Sequence, residues 1–422
     1  MPKLKLHWQI AIALVLAVVI GSLTGDKTSV FGITFISVYA FIGTLFLNAL
    51  KMLIVPLIAS SIIIGIAGMG SHDALGRMGG KTLLYYITTS LIAILVGLAM
   101  VNMVAPGVVD GHPVKDMIGL SGDASAIKEK VAGKGAGDVA EVFLRMIPTN
   151  IVSAAAQGQM LGLIFFSLLF GFFMTKIDHP SAETIYRFWD SVYQVMMLIT
   201  EWVMKFAPIG VFALVAKVVA TTGLAAFKPL ALFFVTVMAA LAMHFFVVLP
   251  LLLKLLGRVQ PGRHFRAMAP ALLTAFSTSS SSATLPMTLE CVEKNAGVSN
   301  RTSSFVLPLG ATINMDGTAL YECVVAMFIA QAYGIEISFA TQFTIVMVAL
   351  LTSIGVAGIP AASLVAISII LATIGLPVEA IGLILAVDRV LDMCRTTVNV
   401  FSDSCGAVII ARSEGEENVL KG

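Results

Sequence analysis

The sequence predicts an all-α polytopic membrane protein, and three observations support this fold class. Of the 422 residues, 58% are hydrophobic and only 12% are charged, whereas soluble domains average about 45–50% apolar and about 25% charged residues. Apolar segments of about 20 residues, the length that crosses a bilayer, recur through the first part of the chain. The later part contains paired, shorter apolar segments with polar or glycine-rich turns between them. The net charge of +2 gives no indication of nucleic-acid binding.

Six apolar segments before residue 257 are long enough to be transmembrane helices. The first follows two lysines, lacks a small-residue cleavage site and is expected to be retained rather than removed as a signal peptide. Lysines and arginines cluster at alternate ends of the segments, which by the positive-inside rule predicts a cytoplasmic N-terminus. The six segments are Trp8–Thr24, Val38–Met69, Thr82–Val104, Leu144–Thr175, Val192–Val219 and Pro229–Leu256.

Two pairs of short apolar segments beyond residue 256 predict re-entrant helical hairpins. Each segment is too short to cross the bilayer, and each pair flanks a serine-rich or glycine-rich turn. Non-helical backbone at membrane depth is tolerated only where protein or a water-filled cavity covers it. The first pair is Phe265–Phe276 and Leu285–Val292, around Ser277–Ser282, and the second is Thr341–Ile354 and Ser363–Leu376, around Gly355–Pro360.

A weak internal repeat relates the two hairpins. Each hairpin is followed by one helix that carries a polar residue, an arrangement typical of transporters with inverted repeats and a site at the repeat interface. The matched pairs are Ser279 and Ser353, Pro286 and Pro360, and Asn314 and Asp388, each separated by 74 residues.

The predicted helix Ile381–Ala411 carries polar and charged residues on one face. At about 100° per residue, positions i, i+4, i+7, i+11 and i+15 fall within a face about 80° wide. A charged side chain at the bilayer centre costs about 2.5–3.5 kcal/mol on insertion scales, so this face predicts a cavity for ions or a charged solute. The five residues are Asp388, Asp392, Arg395, Asn399 and Asp403.

The apolar segment Phe305–Ala332 is interrupted by Asn314–Thr318, with the sequence NMDGT. Asn, Asp and Gly are unfavourable inside a helix, so the interruption predicts local unwinding. Freed carbonyls and a carboxylate are ligands that suit a small hard cation such as Na⁺. An intramembrane serine protease is a less favoured interpretation of the serine cluster, because the six histidines lie outside these motifs and no base for the serines is evident. A pure ion channel would not need a guanidinium beside a carboxylate.

Three motifs resemble those of the dicarboxylate/amino acid:cation symporter family, which includes excitatory amino acid transporters and archaeal aspartate transporters. They are Ser279–Pro286 (SSSSATLP), Asn314–Thr318 (NMDGT) and Asp392–Asp403 (DMCRTTVNVFSD), and Phe46–Ala67 is similar as well. The resemblance implies the glutamate-transporter fold, with eight transmembrane helices, two re-entrant hairpins and a homotrimer in the cell (inner) membrane with both termini cytoplasmic. It also implies that the protein is not an enzyme and works by an elevator movement.

The resemblance divides the chain into two regions. Residues 1–80 and 144–222 would form a scaffold and trimerisation domain, and residues 81–106 and 223–412 would form a transport domain. Within the transport domain it implies a first hairpin at 262–293, an interrupted helix at 300–332, a second hairpin at 338–374 and a last helix at 378–411.

The resemblance implies a site for an acidic amino acid, L-glutamate or L-aspartate. Arg395 would hold the side-chain carboxylate, because a guanidinium offers a bidentate fork and stays charged. Asp392 would bind the α-amino group, and hydroxyl, amide and backbone groups would bind or enclose the rest of the substrate. These groups belong to Ser280, Ser281, Thr318, Thr396, Asn399 and the backbone around Ile359.

The resemblance also implies three Na⁺ sites, with Met315 between substrate and ions, and no other cofactor. The first set is Gly310, Asn314, Asn399 and Asp403; the second is Thr312, Ser353, Ile354 and Val356; the third is Tyr86, Thr89, Ser90, Asn314 and Asp316.

Glu322 matches a glutamate that carries the co-transported proton and supports potassium counter-transport in animal members of the family, whereas archaeal members have glutamine there. The alternative is a neutral, hydrogen-bonded acid with no role in coupling, and the sequence leaves both open. Asp388 is expected to be a structural partner for nearby hydroxyl groups rather than a direct ligand.

The chain departs from the family pattern near Asp392. Archaeal members carry an arginine at the position of Ser279, and animal members carry one at the position of Met393. Arg389 faces about 100° away from Asp388 on a helix and is not expected to take their place. A proton- or sodium-coupled C4-dicarboxylate transporter is the closest alternative function, although Asp392 would repel a substrate that has no amino group.

Overall fold

The computed structural model describes residues 6–25, 28–67, 73–118, 144, 146–157, 160–223, 227–355 and 362–420, and its regular structure is almost entirely helical. The helices before residue 258 are α1 Leu6–Thr24, α2 Phe35–Ala67, α3 Asp73–Val104, α4 Ile151–Ala156, α5 Met160–Met174, α6 His179–Met204, α7 Ala207–Thr222 and α8 Phe227–Met243, which continues through π-helical and α-helical turns to Gly257. The later helices are α9 Pro261–Thr278, α10 Ser281–Glu290, α11 Asn300–Ile313, α12 Asp316–Ala332, α13 Phe339–Gly355, α14 Ala362–Ile374 and α15 Ile381–Ser413.

Two short antiparallel ribbons interrupt the helical structure. Strand β1 (Ser29–Val30) pairs with β2 (Ile33–Thr34) between α1 and α2. Strand β3 (Val108–Val109) pairs with β4 (His112–Pro113) just after α3. Both ribbons lie in connections between helices, where a tight turn reverses the chain.

Three of the described helical segments are long and apolar enough to cross a membrane, judged by length and composition. They are Arg77–Val104, Phe227–Gly257 and Asn300–Ala332, and the bent pair His179–Val203 with Ala207–Thr221 would be a fourth if it is one span. The mostly helical architecture agrees with the predicted fold class, while the count of eight spans stays a prediction.

The structure divides two of the predicted spans. The segment Val192–Val219 is bent by 53° between α6 and α7. Pro208 lies in the first turn of α7, where its missing N–H costs no helical hydrogen bond, so the second helix starts there. The segment Leu144–Thr175 likewise consists of α4 and α5 rather than one helix.

The serine cluster forms the turn between α9 and α10. Ser279 adopts the left-handed conformation, with φ 52° and ψ 36°, and ends α9. Ser280 is extended, and its hydroxyl accepts a hydrogen bond from the backbone N–H of Ala283 at 3.2 Å, which caps α10. The two arms pack together, as expected for a hairpin. Helices α13 and α14 form the second pair, but the connecting residues 356–361 lie outside the described residues.

Helices α12 and α15 lie at the centre of the larger of two groups of helices. Almost every residue of α12 is buried, and it packs against α3, α8, α13, α14 and α15. Helix α15 also packs against α9 and α11. Helices α1, α2, α5, α6 and α7 form the second group. It contacts the first through α7 with α15, and through α2 and α5 with α11, α13 and α14.

The residues after α15 fold back against the first hairpin, and we call Glu414–Leu420 the C-terminal segment. The Glu416 carboxylate accepts hydrogen bonds from the Ser299 N–H at 2.8 Å, the Ser299 hydroxyl at 2.6 Å and the Thr302 hydroxyl at 2.6 Å. The backbone N–H of Leu420 donates to the carbonyl of Ala296 at 2.8 Å. The segment therefore caps α11 and holds the connection between α10 and α11.

The Glu416 carboxyl is held in its charged form by these contacts. Partial burial alone would raise its pKa, but the hydrogen bonds from Ser299 and Thr302 prevail and lower the pKa below the usual value. A lowered pKa in the folded state contributes stability above the usual glutamate pKa. That contribution is lost as the pH falls through the lowered value.

Candidate functional site

The site lies where the break between α11 and α12 meets the polar face of α15. Helix α11 ends at Ile313, and α12 begins at Asp316. Asn314 (φ −112°, ψ 86°) and Met315 (φ −116°, ψ 58°) have non-helical backbone angles. The break therefore falls inside the predicted interruption, and it places the Asn314 and Asp316 side chains, both fully buried, opposite α15.

The polar residues of α15 all face the core. Their exposed fractions are 7% or less. Three of them contact α12 or the break: Asp388 through Tyr321, Asn399 through Gly317 and Thr318, and Asp403 through Asn314. The face predicted from helical spacing is thus a single buried surface about four turns long.

Arg395 lies between two carboxylates at one end of this surface. Its Nη1 donates to Asp388 Oδ1 at 3.0 Å, and its Nη2 donates to Asp392 Oδ1 at 2.9 Å. The guanidinium carbon also lies 3.8 Å from the centre of the Tyr321 ring, a cation–π contact. The Tyr321 hydroxyl donates to Asp388 Oδ1 at 2.8 Å. A buried guanidinium held in this way can grip an anionic group in a fixed orientation.

Asp388 has the expected hydroxyl partner in Tyr321 and also a partner that sequence reasoning missed. Its ion pair with Arg395 spans seven residues of α15. Two turns of helix return to almost the same face, so the spacing itself was the available signal.

The expectation for Arg389 is wrong. Its Nη1 lies 3.5 Å from Asp392 Oδ2, and its side chain is 17% exposed. The expectation measured the angle from Asp388, whereas Asp392 is three residues ahead of Arg389 and therefore a neighbour on the helix surface. We call Tyr321, Asp388, Arg389, Asp392 and Arg395 the arginine cluster.

A second cluster surrounds the carboxylates of Asp316 and Asp403. Asn314 Nδ2 donates to Asp403 Oδ1 at 2.8 Å. Asp316 accepts from the hydroxyls of Ser90 at 2.8 Å and Ser402 at 2.7 Å, and His244 Nε2 lies 3.0 Å from its Oδ2. We call these residues the asparagine cluster; its members are Ser90, His244, Asn314, Asp316, Ser402 and Asp403.

His244 and Ser402 are the members of the asparagine cluster that sequence reasoning missed. His244 is fully buried in a π-helical turn of α8, outside the three motifs. A histidine inside an apolar span needs a polar partner, which was the available signal. Ser402 is adjacent to Asp403 and bonds both sides of the helix break.

Helix α3 contributes the remaining residues of the third predicted Na⁺ set. The Thr89 hydroxyl lies 3.4 Å from Asn314 Oδ1, and Ser90 bonds Asp316. The Tyr86 hydroxyl donates to the carbonyl of Val306 at 2.7 Å. The i, i+3 and i+4 spacing brings the three side chains to one face of α3. The structure therefore places this set around the helix break.

Gly310 and Gly317 allow the close approach of α15. A Cβ atom at Gly310 would lie 2.5 Å from Asp403 Oδ1, and one at Gly317 would lie 2.7 Å from the carbonyl oxygen of Arg395. Both distances are too short for any side chain, so glycine is needed at both positions. The first predicted set, which pairs Gly310 with Asn314, Asn399 and Asp403, is accordingly compact.

The second predicted Na⁺ set is less well defined. The Thr312 hydroxyl donates to the Leu309 carbonyl at 2.9 Å, and the Ser353 hydroxyl donates to the Leu350 carbonyl at 2.7 Å, so each bonds its own helix. Ile354 is helical, and Val356 lies outside the described residues.

Of the predicted substrate-binding residues outside the arginine cluster, Asn399 and Thr318 meet at the start of α12. Asn399 Oδ1 accepts from the Gly317 N–H at 2.8 Å, and its Nδ2 donates to the Thr318 hydroxyl at 3.1 Å. The remaining ones are Ser280, Ser281 and Thr396, all buried, and Ile359, which lies outside the described residues. Met315, predicted to lie between substrate and ions, is 3% exposed at the break.

Glu322 lies in α12 and faces α13. Its Oε2 accepts from the Thr352 hydroxyl at 2.9 Å, and its Oε1 is buried with no hydrogen-bond partner among the described residues. No described lysine, arginine or histidine forms an ion pair with it. A buried carboxyl with one neutral partner is better suited to the protonated form than to the charged form.

Comparisons with known proteins agree on one family. The model of the sodium:dicarboxylate symporter family matches residues 6–413. The chain is 35% identical to a proton/sodium-glutamate symport protein of Geobacillus stearothermophilus, over 100% of this chain and 97% of that protein. It is 34% identical to a proton/glutamate-aspartate symporter of Escherichia coli (strain K12), over 98% and 93%. It is 36% identical to excitatory amino acid transporter 3 of Mus musculus, over 98% and 87%.

Proposed function

Since this chain belongs to the sodium:dicarboxylate symporter family, we propose that it is a secondary active symporter that imports L-glutamate or L-aspartate together with Na⁺. The observation that carries the proposal is Arg395, a buried guanidinium bound by Asp388 and Asp392 on the same helix face as Asn399 and Asp403. Membership of the family also makes the chain a polytopic membrane protein rather than an enzyme.

The arginine cluster suits a zwitterion that carries a second carboxylate. Without substrate, Arg395 and Asp392 neutralise each other at 2.9 Å. The side-chain carboxylate of an acidic amino acid would bind Arg395, and its ammonium would bind Asp392. Each of these two residues would then have a substrate group of opposite charge in place of the other residue. This exchange avoids leaving an unpaired buried charge. The α-carboxylate would then lie near Asn399 and Thr318, with Ser280, Ser281, Thr396 and the backbone around Ile359 completing the enclosure.

The asparagine cluster suits Na⁺. Asp316 and Asp403 are buried carboxylates whose described partners are hydroxyls, an amide and an imidazole rather than a guanidinium or ammonium group. A bound cation would supply the missing charge, and oxygen-rich surroundings are what a hard cation requires. Asn399 links the two clusters, because it lies on α15 between Arg395 and Asp403 and bonds the start of α12.

The proposed architecture has eight transmembrane helices, two re-entrant hairpins and three subunits with cytoplasmic termini in the inner membrane. Support comes from the two groups of helices, which correspond to the proposed scaffold and transport domains. The described substrate and ion residues lie in the group that contains α12 and α15, which supports an elevator movement of one domain.

Glu322 is proposed as the proton carrier, with potassium counter-transport as an associated property. Its support is the unpartnered Oε1 and the neutral Thr352 contact. The alternative function, transport of C4-dicarboxylates, is less favoured because Asp392 would face a ligand that carries no cation.

Uptake into liposomes tests the proposal. We expect the purified protein to accumulate labelled L-aspartate or L-glutamate under an inward Na⁺ gradient. Arg395→Cys should abolish this uptake because it removes the fully buried guanidinium that would bind the substrate's second carboxylate. Arg187→Cys is the matched control, since the Arg187 side chain is 77% exposed on α6. Undiminished uptake without Na⁺, or with Arg395→Cys, contradicts the proposal.

A further inference from the structure

Arg389 lies at the edge of the proposed substrate site and is not one of the proposed ligand residues. It is three residues before Asp392 on α15, and its Nη1 lies 3.5 Å from Asp392 Oδ2. Asp392 is thus flanked by two guanidinium groups, because Arg395 binds the other carboxylate oxygen, Oδ1.

The two guanidinium groups hold Asp392 unequally. Arg395 is fully buried, has bonds of 2.9 and 3.0 Å to two carboxylates and stacks on Tyr321. Arg389 is 17% exposed, and its contact with Asp392 is at the long limit of a hydrogen bond. Arg389 is therefore the partner that an incoming cation can displace more easily.

The position of Arg389 is only weakly determined by its surroundings. Its Nε is buried and has no hydrogen-bond partner among the described residues. Arg395 Nε is likewise without a partner among those residues, so the two residues differ in their terminal nitrogens: Arg389 has one contact of 3.5 Å, and Arg395 has bonds of 2.9 and 3.0 Å. The guanidinium is consequently able to leave Asp392 without breaking a satisfied network.

A substrate ammonium must compete with Arg389. The ammonium would approach the Asp392 carboxylate, whose Oδ2 is the oxygen that lies 3.5 Å from Arg389 Nη1. Two cations within a few ångströms of each other repel, and in a partly buried site this repulsion lowers affinity by about tenfold or more. A ligand with a hydroxyl in place of the ammonium has no such conflict, and the extra positive charge attracts its carboxylates.

We propose that Arg389 is a specificity-determining residue that occupies the ammonium position on Asp392 in the empty site. It thereby weakens binding of acidic amino acids and strengthens binding of dicarboxylates that lack an ammonium group. The inference rests on the proposed function.

The test compares two ligands with the same pair of carboxylates, L-aspartate and L-malate. In liposomes, Arg389→Met should lower the KM for L-aspartate by about tenfold. The same substitution should weaken inhibition by L-malate by about threefold or more. Arg389→Lys keeps the charge and should lie closer to the wild type on both measures. Arg187→Met is the control for loss of a surface charge.

Opposite shifts for the two ligands are the result that a purely structural role would not produce. An unchanged or raised KM for L-aspartate overturns the inference, as does a shift of both ligands in the same direction. If L-malate does not inhibit the wild type, inhibition that appears only in Arg389→Met overturns it as well. Ligand-induced changes in melting temperature give the same comparison if a variant transports too slowly. Failure of the wild type to take up acidic amino acids would instead contradict the proposed function.

Discussion

The arginine cluster and the asparagine cluster lie on the same face of α15 but differ in charge balance. The arginine cluster has two guanidinium groups for two carboxylates, so it is neutral when empty. The asparagine cluster has two carboxylates, and its only described basic partner is the imidazole of His244. The charge balance of one end of the face therefore suits an exchange of charged partners, and that of the other end suits the proposed cation.

The largest effect should come from removing a carboxylate of the asparagine cluster. We expect Asp403→Asn to raise the Na⁺ concentration for half-maximal uptake by about a factor of ten to a hundred, because ligand charge sets cation affinity. Asp110→Asn is a suitable control, since that side chain is 83% exposed. Uptake measured as a function of Na⁺ concentration tests this expectation. An unchanged Na⁺ dependence would show that the cluster is balanced without a cation.

An intermediate effect is expected at Glu322, which belongs to neither cluster. Glu322→Gln keeps the hydrogen bond to Thr352 but cannot release a proton. Uptake by this variant, measured from acidic to alkaline pH, should lose most of its pH dependence. Glu290→Gln, which changes a half-exposed surface carboxylate, should retain it. If the Glu322→Gln profile matches the wild type, the proton is carried elsewhere.

The smallest effect should come from Tyr321→Phe in the arginine cluster. The ring stays over Arg395, and only the hydroxyl bond to Asp388 is lost. One such bond to a carboxylate contributes about 1–1.5 kcal/mol, so KM for the amino acid should rise by about five- to twelvefold. Na⁺ dependence should remain as in the wild type, and Tyr186→Phe serves as control. A large change in Na⁺ dependence would show that the two clusters are not separate in function.

The sequence predicts the centre of the candidate site well because polar residues inside apolar segments are energetically costly, so those that occur there are informative. Helical spacing alone brings Asp392, Arg395 and Asn399 to one face, and Asn–Met–Asp–Gly marks the break. The turn at Ser279 follows from a run of hydroxyl residues between apolar arms. In each case the signal lies within one short segment.

Contacts between distant segments account for what the sequence did not predict. His244 reaches Asp316 across 72 residues, and Ser402 reaches it across 86. No pattern within one short segment indicates a contact between residues so far apart in the sequence. Arg389 shows a different difficulty, since a long side chain can curve toward a neighbour three residues away. Angular position on a helix then describes where a side chain starts rather than where its charged group lies.

The contacts of the C-terminal segment can form only late in the synthesis of the chain. Glu416 follows its partner Ser299 by 117 residues, so a ribosome must add α11 through α15 before that contact can form. The connection after the first hairpin consequently acquires these bonds among the last events of synthesis. A chain that stops at Ser413 would contain every proposed ligand residue and still lack these bonds, so the C-terminal segment contributes to the structure separately from the chemistry of the site.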